Sequence, residues 1–260
     1  MSISELEDKI RNAKALDFGT VLSESIELFK KTWVQGFLLQ IFNFVIALPF
    51  IIILYIPLIG FMVANAENGY NGSETWSTFF AGMSVFYILF LVVGIFVLGA
   101  VQVALNAAFF RIMKKLDHNE TTTTNDFFYF LKSTYLSKAF MLMIVSILIS
   151  IPAIILCYIP FIYVIVPMSY FAFFFAFNPE LSVGDIVKAS FGLGNKKWLL
   201  TFGLLIVSSI LAQLVGFLLC LVGVFFTAAF VYHPIYLIYK EVIGFDENNE
   251  NDEVQIIENL

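Results

Sequence analysis

The sequence has little charge. Only 13% of its 260 residues are Asp, Glu, Lys or Arg, against roughly 25% in an ordinary soluble domain. That leaves too little polar surface to cover a core of this size in water, which excludes a conventional soluble enzyme. Cysteine is scarce: two residues exclude a disulfide scaffold and a multi-cysteine zinc or iron–sulfur centre. Histidine is equally rare, and the two present, His118 and His233, lie too far apart in the chain to read as a metal site. No HExxH, GxSxG, P-loop or CxxC spacing occurs. What the chain does have is apolar mass: 60% hydrophobic residues, 31 Phe and a mean hydropathy of +0.90. It reads as an all-α, polytopic integral membrane helical bundle.

A membrane-spanning helix needs about 20 predominantly apolar residues. Four stretches lack Asp, Glu, Lys, Arg and His: Val34 to Ala66, Thr75 to Phe110, Ala139 to Pro179 and Trp198 to Tyr232. The first two each predict one long helix, with cores near Val34–Ala64 and Gly82–Phe110. Pro49 and Pro57 favour kinks in the first. The third is too long for one crossing and breaks near Cys157–Pro160, ending at the turn signal Asn178-Pro179. The fourth continues apolar past His233 to Tyr239 and divides near Cys220–Gly223. The expectation is six spans.

The sparse charges orient them. Lys and Arg accumulate on the cytoplasmic side. Lys9, Arg11, Lys14, Lys30 and Lys31 precede span 1. Arg111, Lys114, Lys115, Lys132 and Lys138 lie between spans 2 and 3. Lys188, Lys196 and Lys197 lie between spans 4 and 5, and Lys240 follows span 6. These are all 14 basic residues. The loop at about Asn65–Ala81 has only Glu67 and Glu74. Both termini are therefore expected in the cytoplasm, and a five- or seven-span chain would strand a basic cluster on the wrong side. Residues 1–33 are mixed in charge and precede an apolar run too long for a signal peptide.

Two internal matches suggest a repeat. At an offset of 165, Gly19 meets Gly184, Ser25 meets Ser190, Leu28 meets Leu193, Lys31 meets Lys196 and Trp33 meets Trp198. At an offset of 103, Pro49–Pro57 matches Pro152–Pro160, both ending Tyr-Ile-Pro. Together they suggest three units, each an amphipathic helix followed by a helical hairpin. Ahead of span 1, Phe18, Val21, Leu22, Ser25, Leu28, Phe29 and Trp33 share one helical face. Val183, Ile186, Val187, Ser190 and Trp198 repeat it, whereas Asp126–Lys138 fits poorly. Such segments are expected as interfacial elbows anchored by Trp33, Trp198, Lys30, Lys31, Lys196 and Lys197. Ser2 and Glu5 have capping-box spacing for a short first helix. Residues 1–33 thus form the N-terminal and interfacial helices, 34–240 the membrane domain and 241–260 a tail. The tail carries seven of the 20 acidic residues and no Lys or Arg, and is expected to be disordered.

No ionisable residue lies in the apolar core of a span. This argues against a proton-coupled pump and against a midplane Lys or Arg holding a charged substrate. The candidate intramembrane polar patch is Gln40 and Asn43 on span 1, Gln102 and Asn106 on span 2, and Gln213 on span 5. Helix–helix glue worth around 0.6–2 kcal/mol is its default reading, and a lipid-headgroup or solute site the sharper one. Gly94, Gly99, Ala100, Ala104, Ala107 and Ala108 make span 2 the candidate central helix. Cys157 and Cys220 read as buried thiols, with a disulfide between hairpin tips as the alternative.

The stretch Phe18–Trp33, and the order Asn178-Pro179-Glu180, Leu181-Ser182-Val183, Ser190, Trp198, resemble poorly characterised six-helix bacterial inner-membrane proteins. These include the membrane domain fused to some glycerophosphodiester phosphodiesterases. The resemblance covers about residues 17–240 and implies a fold and an inner-membrane location. It carries over no catalytic residue, because the soluble phosphodiesterase domain has no counterpart here. The expected function is a non-enzymatic membrane protein that scaffolds, regulates a partner or organises lipid. The alternative is a small-solute or lipid transporter or channel. Membrane lipids are the expected partners, with a protein partner on the cytoplasmic face or tail, and no cofactor, metal or nucleic acid.

Overall fold

A computed structural model describes residues 1–66, 85–156, 158–219 and 222–245. The described residues contain helices and no strand. Helix α1 spans Ile3–Arg11 and begins with the expected capping box, Ser2 and Glu5 satisfying each other's backbone N–H groups. Helix α2 runs unbroken from Phe18 to Ala66, and α3 covers Val85–Asp117. A 3₁₀ helix at Thr124–Leu131 leads into α4, Ser133–Ile155. Next come α5, Ile159–Ser169; α6, Phe171–Phe177; α7, Val183–Lys196; and α8, Trp198–Leu218. The last stretch is divided into α9, Gly223–Thr227, a 3₁₀ turn at Ala228–Val231, and α10, Tyr232–Val242. Five helical stretches are long and apolar enough to cross a membrane: Phe18–Val63, Val85–Asp117, Ser133–Ile155, Ile159–Phe177 and Trp198–Leu218. The molecule is an all-helical membrane protein. The outer-loop residues from 67, Cys157, Cys220 and the tail from 246 lie outside the described residues.

One sequence expectation fails locally. An elbow was expected near Trp33, yet α2, 49 residues in all, passes through that position without a break. The second unit does bend, at Lys197, between α7 and α8. Local sequence explains the difference. The bend follows Gly192, Gly194 and Asn195, all weak helix formers, where the first unit has Glu27, Phe29 and Lys30. Gly194 also sits on the backbone of Pro167, and a Cβ there would come within 2.6 Å of the proline Cα.

The long helices form a ring in chain order. α2 packs on α3, α3 on α4, α4 on α5, α5 on α8, and α8 on α9 and α10, which return to α2. The principal packing across the ring joins α3 to α6. Helix α3 touches α2, α4, α6 and the 3₁₀ helix, as its small residues predict. Ala100, Ala104, Ala107 and Ala108 are buried, Gly99 lies against Met143 and Gly94 under the ring of Phe50.

The two ends of the ring differ. At one end the core is dense and aromatic: Phe110 stacks on Phe173 with centroids 3.7 Å apart, and Tyr170, Phe175, Tyr236 and Tyr239 are buried beside them. All four basic segments meet at this end. Lys9 donates to Ile243 O at 2.6 Å, Lys188 pairs with Glu7 at 2.5 Å and Lys31 reaches Asn119 at 3.2 Å. Lys138 caps the carbonyls of Pro179 and Leu181, and Lys240 pairs with Asp117 at 2.7 Å. Leu6 and Ile10 of α1 are buried in the same layer. At the other end Val85, Phe86, Ile155, Ile159, Phe217 and Leu218 are largely exposed.

Burial follows the sequence offsets. Val21, Ser25, Leu28, Thr32, Gly36 and Leu39 are buried, and so are Ile186, Ser190, Leu193, Lys197, Thr201 and Leu204, 165 residues later. Ala139 and Leu142, at the offset of 103 from Gly36 and Leu39, are buried too. A third register, unread in the sequence, joins the returning helices at intervals of 63. Ala107, Tyr170 and His233 are buried, as are Phe110, Phe173 and Tyr236, and Met113, Ala176 and Tyr239.

Candidate functional site

The residues of the expected polar patch separate in the structure. Asn106 turns inward, hydrogen-bonded to the Tyr232 hydroxyl, while its Oδ1 is buried without a partner. Gln102, one turn earlier on the same face, is exposed; Gln40 and Asn43 are half-buried; Gln213 is exposed on α8. The patch is therefore not one hydrogen-bonded cluster. Asn106 joins α3 to α10 through that bond, and no hydrogen bond joins Gln102 or Gln213 to it.

A pair that sequence reasoning missed occupies the centre instead. The Thr32 hydroxyl lies 2.6 Å from His233 Nε2, and both residues are fully buried. His233 Nδ1 faces the carbonyls of Ala229 and Phe230 at 3.1 and 3.3 Å. The backbone accounts for this. Pro234 has no N–H to give the Phe230 carbonyl four residues back, and the imidazole approaches that carbonyl in its stead. With Nδ1 carrying its proton toward these acceptors, Nε2 at 2.6 Å accepts from the Thr32 hydroxyl, whose single proton is shared with the Leu28 carbonyl at 3.1 Å. No carboxylate joins the pair, and Phe29, Phe109 and Phe230 surround the imidazole. A hydroxyl and an imidazole in contact invite comparison with a nucleophile and its base. Sealed from solvent and substrate, this pair joins α2 to α10. The His-Pro step was the sequence signal for it.

The expected interfacial anchors take individual partners. Trp33 is exposed and leans on Phe226 at 6.0 Å. Trp198 donates its indole N–H to Tyr163 O at 3.0 Å and stacks on Phe202. Lys30 pairs with Glu27 at 2.6 Å. Lys196 donates to Arg11 O at 3.1 Å, and Lys197 to Lys14 O. Comparison with family models, curated proteins and solved structures finds no match to the chain.

The densest electrostatics lie at the basic end. Asp117 accepts from Tyr236 at 2.9 Å as well as from Lys240. Arg111 sits 4.0 Å over the Tyr129 ring. Burial works to raise the Asp126 carboxyl, but the Thr123 N–H and the Lys115 ammonium at 2.9 Å outweigh it and hold the group below its ordinary value. Asp17 is lowered by the backbone N–H and hydroxyl of Thr20. Among the described residues no three His, Cys, Asp or Glu side chains converge as metal ligands would. These contacts fasten segments together; none presents an activated group to a cleft.

Proposed function

We propose that this chain is a six-span, non-enzymatic protein of the bacterial inner membrane, with both termini in the cytoplasm, that holds and organises membrane lipid. The sixth span is the interrupted stretch Gly223–Val242. Three units, each a leading helix and a returning one, make the ring, and the shared burial registers support that reading. So does the meeting of all four basic segments at one end, as the positive-inside rule requires.

One observation carries the lipid reading: Gln102 points into the ring and is nevertheless exposed. Its neighbours on that face, Asn106 and Phe109, meet Tyr232 across the ring, which fixes the direction. Six helices about 10 Å across, set in a ring, leave a central space about one helix wide. Aromatic side chains fill it at the cytoplasmic end. Above Asn106 the inward face carries Gln102, Leu98 and Ile95, a largely apolar lining with one amide, and Ile95 is exposed as well. Acyl chains match that lining better than a polar solute does.

Native mass spectrometry in mild detergent tests this. The wild-type protein is expected to retain phospholipid. Gln102→Trp should lose most of it by filling the space, while Val93→Trp, on the outward face of α3, should not. Equal retention in the two variants would end the reading. The prolines within the ring (Pro49, Pro57, Pro152, Pro167 and Pro234) favour a second reading, in which the aromatic end opens and a solute or lipid passes. Flux in proteoliposomes that Gln102→Trp abolishes would select it.

A further inference from the structure

The bend between α7 and α8 opens a surface cleft of about 420 Å³ against the segment that joins α1 to α2. Its walls are of two kinds. Ala15, Leu16, Leu199 and Leu200 are apolar, and Leu199 stands 78% exposed. Asn195, Lys196, Lys197 and Trp198 are polar or interfacial. The N–H groups of Trp198, Leu199 and Leu200 precede the first hydrogen bond of α8, which Thr201 makes to Lys197 O at 2.9 Å. They are the free donors of a 21-residue helix at its positive end.

The decisive feature is Lys197. The residue is only 8% exposed, yet among the described residues no carboxylate lies within ion-pair distance of it or of Lys196. Their ammonium groups meet only the carbonyls of Lys14 and Arg11. Asp17, the nearest acid along the segment, is turned toward Thr20 at 2.8 Å. Burial lowers the Lys197 ammonium, and the Lys196 charge beside it lowers it further. The ammonium itself is half-buried and has the Lys14 carbonyl, but a carbonyl brings no counter-charge, and among the described carboxylates none supplies one. The Trp198 indole, fixed to Tyr163 O, marks the headgroup level of the bilayer.

We propose that this cleft binds the phosphate of an anionic phospholipid from the cytoplasmic leaflet. The phosphate sits between Lys196, Lys197 and the first-turn N–H groups of α8, and the acyl chains lie along Leu199 and Leu200. The site rests on the membrane-spanning reading of the chain and is separate from lipid held inside the ring. In the first unit the corresponding position is Thr32, whose hydroxyl is already taken by His233 within an unbroken helix. The ligand is therefore assigned to the second unit alone.

The test uses the full chain in mild detergent, titrated with phosphatidylglycerol or phosphatidylcholine and read by native mass spectrometry. The wild type should prefer phosphatidylglycerol. Lys196→Gln should weaken that preference about fivefold, the effect of one basic residue at an anionic surface. Ala15→Glu, which supplies an internal counter-charge without removing Lys197's bond to Lys14, should abolish it and leave thermal stability unchanged or higher. Lys188→Gln, remote and paired with Glu7, should have no effect. Gln102→Trp should also leave the preference intact, which separates this site from the ring. No preference in the wild type, or a preference unchanged in Ala15→Glu, overturns the proposal. So does a preference that emerges only when residues 246–260 are removed, because the acidic tail would then be the occupant.

Discussion

At the scale of single residues, the buried polar groups act in pairs, and removing one partner is what costs stability. Thr32→Val leaves His233 Nε2 facing an apolar group, a loss expected to reach about 1–3 kcal/mol. A double-mutant cycle with His233→Phe should recover part of it, because the orphaned nitrogen is then gone; thermal unfolding in detergent measures both. Asp126 gives a pH dependence of definite sign. Its carboxyl lies lower folded than unfolded, so its contribution is fully present above the unfolded value of about 4 and is lost as pH falls through the folded one. The unfolding temperature should drop between pH 5 and pH 3, and more shallowly in Asp126→Asn. An equal slope in the two proteins would remove Asp126 from that account.

At the scale of elements, glycines separate close packing from open space. Gly194→Ala drives a methyl into the Pro167 backbone of α5 and should lower the unfolding temperature and the yield. Gly60 has nothing within 4 Å of an added Cβ, so Gly60→Ala should be neutral or stabilise by up to about 1 kcal/mol through helix propensity. The same contrast shows what the sequence made legible. Apolar run lengths located the five helical stretches long enough to cross a membrane, though not the division of the last stretch into short pieces, and small residues marked α3 as a helix packed on several neighbours. The elbow at Trp33 was misread because amphipathic period and a Trp are shared by both units, whereas the weak helix formers that permit a bend occur only before Lys197. The polar patch was read from helical spacing, which puts Gln102 and Asn106 on one face but cannot say which of them finds a partner on another helix. The Thr32–His233 pair was out of reach because its partners are 201 residues apart, and no local period links them.

At the scale of the whole molecule, the six-span reading predicts which side each segment faces. In intact cells, a cysteine placed at Glu67 in a background lacking Cys157 and Cys220 should react with a membrane-impermeant maleimide. One at Lys132 should react only after permeabilisation, and labelling of both in intact cells would refute the topology. The unbroken α2 also sets the mechanics of the assembly. Its 49 residues make a rod about 73 Å long, well over twice the roughly 30 Å of bilayer hydrocarbon. With no break near Trp33, its leading part and the stretch up to Pro49 are expected to tilt as one piece in a thinner membrane, with Pro49 and Pro57 the positions where the helix can bend beyond it. The second unit has a joint at Lys197 and can take up the same change there. On the six-span reading, a change in membrane thickness is expected to tilt the first unit and bend the second at Lys197, loading the bonds by which Lys196 and Lys197 hold the carbonyls of Arg11 and Lys14.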